Sequence, residues 1–212
     1  MASDAAVLTG DLIASTQAGQ VATDRAMALI QSVANAESLQ DGTDVRFTRF
    51  RGDGWQIYCS NPIKVFRLAV LVLASLQSRP DLPKTRISAA TGPVAFLPDT
   101  GLASASGQVF STSGQALDSM TSQRLVFHTA EHGWPWKNAL FSYLEWQSAR
   151  WSPEQAEAVA IAFRHAPPRP KDVADTLGIS RQAAAARLQG AGYGPLADTD
   201  DSFHVVPVPA ND

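Results

Sequence analysis

The 212 residues hold 17 Lys and Arg against 20 Asp and Glu, a formal charge of −3, with 45% apolar and 17% charged residues. This is the composition of an ordinary globular protein with material for a real core, and the length allows one domain with an appendage or two modules. It excludes a global basic field, so a nucleic acid must be met by a local patch, and the single Cys59 excludes an intramolecular disulfide. No stretch approaches membrane-spanning length and no basic start precedes an apolar run, so the expectation is a cytoplasmic protein without membrane contact.

In chain order, residues 5–9 form a short apolar strand that ends in Gly10-Asp11. Residues 19–23 read as a polar turn. Residues 24–37 carry Met27, Leu29, Ile30 and Val33 at helical spacing, with Thr23 as the cap. A polar loop at 39–44 leads to 46–58, where Val45, Phe47 and Phe50 alternate with Arg46, Thr48, Arg49 and Arg51 before Trp55, Ile57 and Tyr58 resume a β-rich run. The period of two predicts a hairpin, with Gly52-Asp53-Gly54 at its turn and Cys59 a buried or half-buried thiol on the second arm.

Asn61-Pro62 starts a strongly apolar helix at 63–76, whose breadth argues for deep burial. A strand is expected at 85–91 and an aperiodic loop at 96–106. Residues 107–120 read as an approach loop and short helix. There Ser111, Thr112, Ser113 and Gly114 place hydroxyls and amides at the helix start, suited either to a phosphate or to capping that helix alone. A last strand spans 123–130. His128 and His132 are four apart, but on a strand end without further ligands, which argues against a metal there. Residues 136–150 form an amphipathic, aromatic-rich helix fit for packing or for dimerisation.

If the first strand lies parallel to the first hairpin arm, with the 24–37 helix crossing between them, Asp11 and Asp53 meet at one sheet edge. Two converging carboxylates call for a divalent cation, a proton or basic groups, and Mg²⁺ bound with a nucleotide's phosphates suits them. Asp-Gly is also an ordinary turn pair, and the scaffold reading, in which both aspartates only make turns, stays open.

Residues 7–16 (VLTGDLIAST), 51–58 (RGDGWQIY), 86–94 (RISAATGPV) and 107–120 (GQVFSTSGQALDSM) resemble, in order and rough spacing, the class III nucleotidyl cyclase catalytic domain, and more closely its small bacterial SatD-type relatives. The resemblance covers about the first two thirds of the chain and implies a ferredoxin-like βαββαβ core. It also implies a homodimer with nucleotide at the interface. It makes Asp11 and Asp53 the metal residues, and places Gly10, Arg51, Gly52, Gly54, Ser111 and Ser113 around a nucleotide. The chain departs from the family in the fourth motif, where the family's ribose-binding Asn and charge-stabilising Arg are both missing. Phosphoryl transfer rests on such clamps, so enzymatic activity is left open while ligand binding is retained.

From Trp151 the composition changes. Ser152-Pro153-Glu154 starts a helix that Pro167, Pro168 and Pro170 end, and two short helices at 171–177 and 180–188 flank a Gly178-Ile179 turn. Small Ala174, Gly178, buried Ile179 and Leu188 make a pattern that resembles the helix-turn-helix of bacterial transcription regulators. That resemblance places Ser180, Arg181 and Gln182 at bases, and Lys171 and Arg187 at phosphates. A helix-turn-helix used for dimerisation or protein docking is the alternative. Residues 203–208 form a candidate wing strand.

The expected fold class is thus α+β: a ferredoxin-like domain over 1–135, a connecting helix over 136–150, and an all-α, optionally winged helix-turn-helix domain over 151–212. The expected function is a homodimeric regulator that binds a palindromic DNA site and senses a nucleotide. An active metal-dependent nucleotidyl cyclase with a DNA-binding tail, or a ligand-free scaffold, are the alternatives.

Overall fold

The computed structural model describes residues 3–129, 135–164 and 169–204. Among them run strands β1 (Asp4–Leu12), β2 (Val45–Phe50), β3 (Gly54–Cys59), β4 (Thr85–Pro93) and β5 (Leu125–Thr129). The helices are α1 (Ser15–Asp41), α2 (Val65–Gln77), α3 (Gln108–Ser119), α4 (Pro135–Ser148), α5 (Pro153–Ala162), α6 (Pro170–Leu177), α7 (Arg181–Gly190) and α8 (Tyr193–His204). The expected α+β class holds.

All strands form one sheet of order β2-β3-β1-β4-β5. β1 pairs antiparallel with β3 and β4, β2 antiparallel with β3, and β4 parallel with β5. β1 and β2 therefore run in the same direction, as a crossover through α1 demands, but β3 is inserted between them. The unbroken apolar run of β1 follows from coverage on both faces. Ala6, Leu8 and Leu12 join the main core with α1 and α2, while Ala5 and Val7 pack with Tyr58, Val109 and Phe110 on the α3 side.

α2 is apolar over most of its surface because it is buried over most of it: Phe66, Leu68, Val70, Leu71, Val72 and Leu76 are each at most 1% exposed. It starts from a 3-10 turn, Pro62–Lys64, in which the Asn61 side chain accepts from the Ile63 amide at 3.3 Å. α1 begins earlier than its apolar periodicity suggests. Ser15 opens it, Gly19 bends it at φ 81°, and Thr23 sits inside it with its hydroxyl donating to the Ser15 carbonyl at 3.4 Å instead of capping. The polar first turns have no apolar stripe, so only the glycine-hinged backbone reveals them.

The C-terminal helices share the core of the sheet. Phe141, Leu144, Trp151, Val159, Phe163, Leu196 and Phe203 belong to one apolar cluster with Leu8, Ile30, Phe66 and Ile87, and a smaller cluster ties α5, α6 and α7 through Ala158, Val173, Ala184 and Leu188. The wing strand expected from residue 203 is corrected. Phe203 and His204 end helix α8, because the Phe203 ring inserts among Phe66, Phe127 and Phe141 at centroid distances of 5.5, 6.4 and 6.1 Å. Residues 205–208 lie outside the described residues, as does His132. Among the described residues no helix is long and apolar enough to cross a membrane.

Candidate functional site

The hairpin joining β2 and β3 closes with Phe50 opposite Gly54, leaving Arg51, Gly52 and Asp53 as the loop. The left-handed backbone falls on Arg51 (φ 49°) and Gly52 (φ 80°), and the Asp53 amide donates to the Arg51 carbonyl at 3.0 Å. Gly54 has a different duty: a Cβ there would lie 2.7 Å from the Phe50 ring. Arg49 fixes the loop from below, donating to the Gly52 carbonyl and to Asp24 of α1, both at 2.6 Å. The hairpin tip is thereby clamped to the first turns of α1.

The backbones of Asp11 and Asp53 come together as the sheet edge requires. Asp11 pairs in register with Gly54, and the Leu12 amide donates to the Asp53 carbonyl at 3.1 Å. Their side chains part. Asp11 faces Arg86 directly across β1 and β4, taking a hydrogen bond from Nε to Oδ1 at 2.9 Å and a second from Nη2 to Oδ2. The same pair raises the Arg86 pKa above its ordinary value. Asp53 instead accepts from the Ser15 hydroxyl at 2.6 Å, on Oδ2.

As they stand, these two carboxylates do not fit a Mg²⁺ ion. Asp11 is neutralised by a bidentate guanidinium, Asp53 is turned towards α1, and among the described residues no group of three or more His, Cys, Asp or Glu could hold a metal. What the hairpin does form with α1 is an open groove of about 400 Å³, lined by Ser15, Thr16, Gly19, Gln20, Thr23, Arg51, Gly52 and Asp53. It brings Arg51, Gly52 and Asp53 to the N-terminus of a helix, where free amides and the macrodipole favour an anion. Ser15 and Thr16 sit within the VLTGDLIAST motif. Their part in the groove is visible only once α1 is seen to start at Ser15.

The remaining nucleotide-site candidates lie elsewhere. Gly10 is a packing glycine, since a Cβ would stand 2.4 Å from the Trp55 ring and 2.5 Å from the Arg86 carbonyl oxygen. Helix α3 starts at Gln108, so the serines are not at a helix start. Ser111 is exposed, with its amide already bonded to the Gly107 carbonyl at 3.2 Å. Ser113 is wholly buried and exchanges a hydrogen bond with Thr9 at 2.8 Å. The apolar pair Val109 and Phe110 anchors the first turn of α3 to the sheet, which pulls the helix start upstream of the serine run.

The C-terminal candidates gather on α6, α7 and the turn between them. Gly178 adopts φ 65° to cap α6, and Ser180 caps α7, its hydroxyl accepting from the Ala183 amide at 3.1 Å. Ala184 and Leu188 face inward; Arg181, Gln182, Ala185 and Gln189 face solvent. Lys171 and Arg187 are engaged within the chain, Lys171 with Asp175 one turn on and Arg187 with Glu157 at 3.6 Å. Arg181 and Gln182 are therefore the side chains here best placed to meet a partner.

No protein-family model and no curated protein matches this chain. Among solved structures, a bacterial light-regulated adenylyl cyclase is similar over 60% of this chain and 43% of that one, at 15% sequence identity and a TM-score of 0.41.

Proposed function

We propose that the protein is a DNA-binding regulator whose sheet-bearing part senses a phosphate-bearing ligand such as a nucleotide. The observation that carries this reading is the outward face of α7. A short helix, capped by Ser180 and held on α6 by the Gly178 turn, presents Arg181 and Gln182 at its exposed first turn and small Ala185 and Ala186 in the turn beyond, before Gln189. Arg matches the acceptors of guanine and Gln the donor and acceptor of adenine, and a slim helix face lets the backbone come close to a groove. The strand order β2-β3-β1-β4 is compatible with a ferredoxin-like domain, and the α6–turn–α7 unit resembles a helix-turn-helix, which supports the reading.

A single such helix contacts few bases, so a homodimer on a palindromic site is part of the proposal. The groove between α1 and the hairpin, with Arg51 above a helix N-terminus, is the sensing site. The bidentate hold of Arg86 on Asp11 favours sensing over an active metal-dependent cyclase.

The test is selection of duplexes from a randomised pool by the full chain, followed by gel shift of the enriched sequence. Wild-type protein enriches a two-fold-symmetric site, and an Arg181→Ala/Gln182→Ala variant loses about tenfold or more while relaxing base preference. A pool that stays random, or a double variant that binds unchanged, rejects DNA recognition by α7. Titration with nucleoside triphosphates, comparing wild type with Arg51→Ala, tests the groove independently.

A further inference from the structure

A second cavity, of about 370 Å³, lies between α2 and α4 beside the starts of β4 and β5 and shares no lining residue with the hairpin groove. Its lining is mixed. Leu73 and Leu76 of α2, Leu125 of β5 and Trp146 of α4 are its large apolar residues, Thr85 and three serines add hydroxyls, and Lys84 and Arg124, the residues just before β4 and β5, are its two cationic residues.

The Lys84 cation is poorly compensated. The Lys84 ammonium donates to the Leu76 carbonyl at 3.1 Å, and Asp81, the carboxylate that acts on it through space, is committed to Arg25 at 2.8 Å. Burial pushes the Lys84 pKa down, the sign of an ammonium held where water solvates it poorly. Glu145 also lines the cavity, but its Oε1 accepts from the Arg124 backbone amide at 2.6 Å. Counting Lys84 and Arg124 against Glu145 leaves one net positive charge in the cavity.

We propose that this cavity is a binding site for a small amphiphilic monoanion, an aromatic or branched aliphatic carboxylate or sulfonate. Its apolar body lies against Leu73, Leu76, Leu125 and Trp146, and its acid group pairs with Lys84 and Arg124. The volume is that of a site for a compact organic ligand, and a few convergent polar groups on apolar walls are what such sites have. An anion here would give the half-buried ammonium a charged partner in place of the water that burial removes.

The experiment uses two probes of one shape, 8-anilinonaphthalene-1-sulfonate and its uncharged counterpart N-phenyl-1-naphthylamine, followed by their fluorescence and by that of the tryptophans. The folded wild-type chain should bind one sulfonate saturably. Lys84→Met should weaken the sulfonate by about tenfold or more and leave the neutral probe within twofold, since a charge-assisted contact is worth that much. Ala149→Trp, at an exposed position on the cavity wall, should exclude both probes. If Lys84→Met fails to fold, Arg124→Gln at an exposed residue decides the matter through the same selective loss. Sulfonate affinity indifferent to the charge variants, or binding of either probe indifferent to Ala149→Trp, overturns the proposal.

Discussion

Arg86 holds Asp11 across the centre of the sheet with two parallel hydrogen bonds, and this cross-strand pair decides what the aspartate can do. Both side chains are about one third exposed, so solvent screens the pair and Arg86→Gln should cost only on the order of 1 kcal/mol. The variant instead liberates a carboxylate. Mn²⁺ should leave the melting temperature of the wild type unmoved and raise that of Arg86→Gln, because a ligand stabilises only the state that binds it. A shift of equal size in both proteins would mean that Asp11 binds metal without Arg86 being displaced.

That pair also marks where reading the chain alone runs out. The alternation over 46–58, the Asn61-Pro62 helix start and the Ser152 cap are local, and local physics puts them in the right places. Asp11 and Asp53 were placeable on one edge because strand direction follows from a crossover helix. The partner that neutralises Asp11 is 75 residues away, and no spacing rule reaches it. α8 contains Gly194 and Pro195 and little helical pattern, yet Phe203 closes it by docking in the aromatic core, so tertiary packing overrides propensity. Arg51, a non-glycine, takes a positive φ that the Gly52-Asp53-Gly54 run would have assigned to its neighbours.

Gly10→Ala separates packing from ligand approach. The new methyl would meet the fully buried Trp55 ring and the Arg86 carbonyl, neither of which can withdraw, since Trp55 Nε1 donates to the Thr85 hydroxyl at 2.9 Å and the carbonyl belongs to the sheet. A loss of about 1–3 kcal/mol or more is expected from such overpacking. Urea denaturation should show it with no ligand present; an unchanged midpoint would return Gly10 to the list of phosphate contacts.

Cys59 should be silent towards thiol reagents until the sheet opens. It is fully buried on β3, and burial pushes its pKa up to about 11, so at pH 8 almost none of it is thiolate. Labelling by an aromatic disulfide at pH 8 should therefore proceed at the rate at which β3 becomes exposed, and accelerate with urea in step with unfolding. Stoichiometric labelling within seconds in native buffer would contradict this placement.

The docking of α8 carries a charge that the core tolerates badly. Asp200 is 8% exposed, its Oδ1 has no hydrogen-bond partner among the described residues, and burial raises its pKa from 3.8 to about 6. Arg67 of α2 opposes the rise at 3.7 Å, but Arg67 also serves Glu37 of α1 at 3.0 Å, which in turn stands 3.9 Å from Lys64; His204 and Asp201 flank the group on α8. The native state thus holds a proton that the unfolded chain releases between about pH 4 and pH 6, and in that window stability falls as pH rises. Below it the penalty is absent, and above it the full cost stands, on the order of 2–3 kcal/mol for a shift of this size. Asp200→Asn keeps the shape and removes the charge, so the variant should be the more stable protein at pH 7 and match the wild type near pH 4. Chemical denaturation across that range reads the difference directly, and a constant offset between the two proteins at every pH would show that Asp200 does not titrate with folding.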